Sequence, residues 1–109
     1  MNAREIARRN LAWEIRAKGC TATATDGRTV KGLYGPRKED PVALQMEGVD
    51  NVATPNRYQF RAIDDAHVVR EGEDLTILGQ SHRVVDVDQL AATEGAVGIR
   101  ATLLLLGDR

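Results

Sequence analysis

The sequence predicts a mainly β protein: a small antiparallel β-sandwich or barrel with one N-terminal α-helix and a long mobile loop. Three observations carry that expectation. Apolar residues recur with a helical period over residues 3–18, the period changes to two from Thr21 onward, and glycine- or aspartate-containing turns then separate short β-branched runs. At 109 residues a single domain is expected over 1–109, with chain enough for one core.

Asn2 and Glu5 have the spacing of a capping pair, so the helix should begin near Ala3. At about 100° per residue, Ile6, Trp13 and Ala17 fall on one side, with Ala7, Leu11 and Ile15 on an adjoining side. Glu5, Arg8, Arg9 and Arg16 gather opposite, which makes an amphipathic helix with a wide apolar stripe. Gly19, after Lys18, is placed to end it in a left-handed cap.

Thr-Ala-Thr-Ala-Thr, the turn Asp26-Gly27 and the run 29–34 read as a hairpin. Residues 36–57 then hold all three prolines, two charge clusters and an apolar patch at Val42, Leu44 and Met46. A short strand inside this stretch is open, but as a whole it reads as a loop, and loops beyond about 12–15 residues in a compact domain are usually functional or disordered.

Tyr58, Phe60 and Ala62 alternate with Gln59, Arg61 and Ile63 as a half-buried strand, and Asp64-Asp65-Ala66-His67 is placed to open a single helical turn with an aspartate as its cap. Glu71-Gly72-Glu73-Asp74 reads as a turn into a strand at 75–78, Gly79-Gln80 as a two-residue connection, and 81–87 as the returning strand. A loop over 91–98 precedes a last strand at 99–106, whose Leu103 to Leu106 run is either buried or meets a partner. The expected core is Leu11, Trp13, Tyr58, Phe60, Leu75, Ile77, Val85 and Leu103.

Composition narrows the function classes. At 42% hydrophobic and 28% charged residues, the chain reads as a soluble globular protein. No apolar run approaches the roughly 18 residues of a membrane span, and basic residues stand where a signal peptide is apolar, so it is expected to be cytosolic where it is made. One cysteine, Cys20, and two separated histidines supply neither an intrachain disulfide nor a Cys/His zinc site. Residues 1–38 hold nine basic and three acidic side chains and residues 39–109 six and thirteen, so a formal net charge of −1 conceals halves of +6 and −7.

The acidic residues at 64, 65, 71, 73, 74, 86 and 88 lack the ligand spacing of a calcium loop, and Asp86 and Asp88 share one solvated strand face. His67 and His82 have no nucleophile framed beside them, the sole serine, Ser81, sits in no catalytic signature, and no phosphate-cradling glycine run occurs. The chain is therefore expected not to be an enzyme and to need no cofactor or metal. For the basic half two readings stay open. It contacts nucleic acid non-specifically, though 4% aromatic residues leave few stacking platforms, or it meets the acidic half of the next subunit in a head-to-tail ring.

The order of elements, and above all the run Phe60-Arg61-Ala62-Ile63-Asp64-Asp65-Ala66-His67-Val68-Val69-Arg70-Glu71-Gly72-Glu73-Asp74-Leu75-Thr76-Ile77, carries a resemblance. With the Gly79-Gln80 turn, Arg83-Val84-Val85-Asp86-Val87 and an apolar last strand, it resembles the head-tail joining proteins of lambda-type tailed phages, the connector or stopper proteins between capsid portal and tail. The sharpest part is the Arg-x-Gly-x-x-Leu-Thr-Ile segment at 70–77; the sequence departs from the family by one added residue near Glu71-Gly72-Glu73-Asp74 and in the 91–98 loop.

The resemblance implies a structural virion protein of a phage, prophage or gene-transfer particle. It would form a ring of six at the head-tail interface, after synthesis in the host cytoplasm, joining the DNA-filled capsid to the tail and helping retain DNA. Implied partners are the chain itself, portal or adaptor proteins on the head side and a tail-terminator or tail-tube protein on the other. Non-specific contact with packaged DNA stays open from the basic residues, and no membrane is expected. Arg37, Lys38, Glu39 and Asp40 are the expected partner contacts in the long loop, and Arg4, Arg8 and Arg9 the expected contacts to a neighbour or to DNA. The helix and the long loop are expected to order on assembly. The alternatives are a tail-terminator or tail-completion ring, or a small nucleic-acid-binding β-barrel.

Overall fold

The computed structural model describes residues 2–36, 57–92 and 95–108. Helix α1 (Ala3–Lys18) starts where the capping spacing predicts, with the Asn2 side chain accepting the Glu5 N–H at 2.8 Å. It ends differently from expectation. Gly19 is extended, at φ −74°, and is needed for clearance: a Cβ there would lie 2.4 Å from the Ile15 carbonyl oxygen and 3.0 Å from that of Gly32. The glycine lets the helix end press against the sheet.

Six strands follow: β1 (Cys20–Ala24), β2 (Thr29–Pro36), β3 (Arg57–Ala62), β4 (Asp74–Ile77), β5 (Gln80–Ala92) and β6 (Gly95–Asp108). They pair antiparallel in the order β1-β2-β3-β6-β5-β4, and β1 pairs with β4 to close a barrel. The expected sandwich or barrel is thus a barrel, mainly β with one N-terminal helix. Closing so few strands leaves a narrow interior, which the sequence fills by setting large residues against small ones. Phe60, fully buried, pairs with Ala101 and lies over Gly32, where a Cβ would sit 2.5 Å from the ring; Ala22 and Ala24 face Ile77 and Leu75. Val84 and Leu103 complete the core.

Several expected boundaries move. The long excursion is trimmed at both ends, since Pro36 closes β2 and Arg57 opens β3; residues 37–56, including Val42, Leu44 and Met46, lie outside the described residues. The expected helical turn at 64–67 is a non-helical turn, in which the His67 N–H reaches the Asp64 carbonyl at 3.3 Å. Asp64 does cap, but further along: its carboxylate accepts the N–H groups of Val68 at 2.9 Å and Val69 at 2.7 Å, seating both valines in the core. The β4–β5 turn is Leu78-Gly79, one residue earlier than expected, with φ of 52° and 77°. The expected 91–98 loop is largely strand, for β5 runs to Ala92 and β6 begins at Gly95.

Two expected core residues are on the surface. Trp13 is 70% exposed because α1 buries the arc centred on Leu11 and Ile15, roughly 160–200° away around the helix. Val85 is 47% exposed because β5 carries a bulge between Val84 and Asp86, so Val84 and Val87 turn inward while Val85 and Asp86 both face out. Tyr58 is half-buried; Leu11, Phe60, Leu75, Ile77 and Leu103 are buried as expected.

Candidate functional site

Helix α1 has two working faces. Inward, Leu11 and Ile15 pack with Val97, Leu33, Ile63 and Leu90 where β3 ends, forming a second core beside the barrel. Outward, Trp13 and Ile6, 70% and 47% exposed, share one side with Arg9 and Arg16, both exposed; the two arginines, expected opposite the apolar stripe, fall beside Trp13 at about 100° per residue. A solvent-facing tryptophan between two arginines has the composition of an interface anchor.

Between α1, the 64–67 turn and the start of β6 lies a cleft of about 200 Å³, lined by Arg4, Arg8, Asp64, Asp65, His67 and Gln89 among others. Arg4 donates from Nε to the Ala96 carbonyl at 2.8 Å, and Arg8 forms an ion pair with Asp65. Two of the arginines expected to meet a neighbour or DNA therefore tie the helix to its own barrel, and only Arg9 of the three faces solvent. Part of the opposite charge on the two halves is matched within the chain. Arg37, Lys38, Glu39 and Asp40 lie outside the described residues.

The outer face of β5 and β6 is a second surface. The bulge presents Val85 with Asp86, and Leu104 and Leu106 stand out from β6 at 38% and 45% exposure. Asp86 and Asp88 are exposed on one face, as expected, and Asp88 approaches Arg100 at 3.7 Å. Arg61 and Arg100 lie directly across from one another on β3 and β6, each with a buried Nε that has no hydrogen-bond partner among the described residues. This face carries apolar residues among charges of both signs: Asp86, Asp88 and Arg83 on β5, Arg100 on β6, and Arg57 and Arg61 on β3.

At the barrel end where β2 finishes, Tyr34, Tyr58 and His82 close the interior. The two phenol rings stack at 5.2 Å between centroids and 10° between planes, and His82 stands edge-on to both. His82 is fully buried, with Nδ1 3.1 Å from the Gln80 carbonyl and Nε2 2.7 Å from the Tyr34 hydroxyl. Since the carbonyl only accepts, Nδ1 carries the proton of the neutral ring and Nε2 accepts from the phenol. Burial pushes the Tyr34 phenol up to about 12, assisted by Tyr58 and Cys20, and burial holds the His82 pKa below its usual value against the pull of carbonyls at Gln80 and Leu75. The cluster is a neutral, hydrogen-bonded plug.

Among the described residues no three His, Cys, Asp or Glu side chains gather as a metal site. The sequence reading missed the outward face of α1, although the signal was present: Trp13 stands four residues after Arg9 and three before Arg16. The Tyr-Tyr-His plug had no comparable signal, since its members come from three strands.

The chain is, at this level, a six-stranded antiparallel barrel with a helix strapped to its side and two exposed mixed apolar and charged faces. No protein-family model matches it, and no curated protein does either.

Proposed function

We propose that this protein is a structural component of a tailed-phage, prophage or gene-transfer particle, forming a ring that joins the DNA-filled head to the tail. The observation that carries the reading is the outward face of α1, where the sole tryptophan stands 70% exposed beside Arg9, away from the core its helix helps build. The barrel supports it as a stiff spacer, its interior filled by Phe60, Leu75, Ile77 and Leu103. The 70–77 segment that bears the family resemblance supplies the turn into β4, the strand that closes the barrel against β1.

Electron microscopy of lysates from a particle-producing strain lacking the gene tests this reading. DNA-filled heads beside separate, complete tails are expected. Joined particles with tails of abnormal length would transfer the protein to the tail-terminator class, and ordinary particles would remove it from the head-tail junction.

A further inference from the structure

The outer face of β3 and β6 holds a pair of like charges with unmet donors. Phe60 and Ala62 on β3 and Ala101 and Leu103 on β6 are buried in the barrel, so Arg61 and Arg100 beside them point outward, directly opposite one another. Cross-strand partners stand about 5 Å apart, and like charges at that separation destabilise a sheet. No acid of the chain offsets the repulsion at Arg61. Its neighbours on that face are Leu33 on β2, Gln59 and Ile63 two residues before and after it, and Arg100 itself. Among the described residues it enters no ion pair. Asp88 lies on the far side of Arg100, and its oxygen is 3.7 Å from the guanidinium, outside hydrogen-bond range.

Each of the two guanidiniums also has the buried Nε–H without a partner among the described residues. Nearly all buried donors in folded proteins are paired, and an unpaired one marks a place for a further group, a water or an ion among the candidates. A water would satisfy a donor and leave the repulsion in place, whereas an anion answers both. The arginine stems lie along the sheet while their ends reach solvent: Arg61 is half-buried, and 43% of the Arg100 side chain is exposed. A guanidinium takes an oxyanion through a fork of parallel N–H groups. Two forks about 5 Å apart suit a tetrahedral oxyanion, whose oxygens bridge both, better than a carboxylate, which a single fork satisfies.

We infer that Arg61 and Arg100 form a phosphate-binding site on the outer face of β3 and β6, in which one phosphate group bridges the two guanidiniums. The outer nitrogens meet the anion first, and turning each side chain about its last bonds brings the Nε–H to it. The bound charge replaces repulsion across the strand pair by attraction. The phosphate is either inorganic phosphate or a phosphate of a nucleic-acid backbone, and the chemistry of the contact is the same. The site goes beyond the ring proposed above and does not depend on it, because no contact between subunits enters.

Calorimetric titration of the protein with inorganic phosphate, at fixed ionic strength with chloride as the balancing anion, tests the site. One saturable site per chain is expected. Arg61→Gln should weaken binding about tenfold or more, and Arg61→Lys, which keeps the charge and loses the fork, should weaken it less. Arg16→Gln, which removes an equal charge from the outer face of α1, should leave it unchanged. In chloride alone the urea midpoint of Arg61→Gln should equal or exceed that of the parent protein, because a like-charge pair has gone; this separates a lost site from a lost fold. A short DNA duplex then distinguishes the source. If the backbone supplies the phosphate, duplex binding weakens in Arg61→Gln, its salt-dependence slope falls by about one, and inorganic phosphate competes with the duplex. If the anion is free, phosphate binds and the duplex does not distinguish the variant from the parent. Either outcome keeps the site. Heat that follows phosphate concentration without saturating, or phosphate binding that Arg61→Gln leaves intact, would overturn it.

Discussion

Asp64 shows how much of a loop's conformation one side chain can set. Its buried carboxylate accepts two main-chain N–H groups, those of Val68 and Val69, which the barrel wall would otherwise leave without partners. A buried donor without a partner costs about 1–3 kcal/mol, so Asp64→Ala should destabilise the protein by about 2–4 kcal/mol, while Asp64→Asn, which keeps one acceptor oxygen, should lose less. Urea unfolding midpoints of the three proteins decide the matter, and equal midpoints would show that the 64–69 backbone is held by other means. That an aspartate caps here was legible because Asp-Asp precedes a small residue and a histidine; which of the two was not. The structure it caps was not, because the same pattern serves a helical turn and a tight loop, and only the burial of Val68 and Val69 separates them.

At the scale of the element, strands were easier to find than their ends. The β1–β2 hairpin follows directly from Thr-Ala-Thr-Ala-Thr and Asp26-Gly27, and Gly27 takes a positive φ, 93°, in the turn. The β4–β5 turn slipped by one residue because leucine is a poor predictor of a left-handed conformation. Leu78 adopts φ 52° all the same, and pairs of Ile77 with Gln80 leave Leu78-Gly79 as the two-residue loop. An L-residue other than Gly, Asn or Asp gives up roughly 1–2 kcal/mol in that region, so Leu78→Asn should raise stability by about 1 kcal/mol, read as a higher thermal midpoint. No gain would mean that the 70% exposed Leu78 side chain makes up the difference by other contacts. Val85 was misplaced for a different reason. Val85 and Val87 alternate with Asp86 and Asp88, a clean inside-outside pattern in the sequence, and a bulge is a property of the pairing with β6 that one strand's pattern does not contain.

For the whole molecule, the class of fold was readable from periodicity and turns, while closure into a barrel depends on β1 meeting β4 across more than fifty residues of chain. Of the candidate interface residues, Arg9 is where a partner can reach it, and Arg4 and Arg8 are engaged at home, because the acidic half of the chain folds back onto the basic helix through Asp65. The Tyr34–Tyr58–His82 plug links global stability to pH. The buried imidazole is held neutral in the folded state, with its pKa below the value of about 6.5 that it regains on unfolding, and the neighbouring Tyr34 phenol is uncharged. Between the two pKa values the unfolded chain binds more protons, so stability is full above pH ~6.5 and falls as the pH drops below it. The drop in urea midpoint between pH 7.5 and pH 5.5 should shrink in His82→Phe; an unchanged pH dependence would place the titration elsewhere.

Strand β6 runs for fourteen residues, yet β3 covers only its 99–104 stretch, and its early part carries the helix: Arg4 bonds to Ala96, while Leu11 and Ile15 pack on Val97. One unbroken strand thus acts as a tie rod from the helix anchorage at one end to the exposed Leu104 and Leu106 at the other. Tension applied between those two ends passes along β6. It loads the hydrogen bonds to β3 and β5 in shear, so that many must fail together. The barrel then resists stretch along the line of β6.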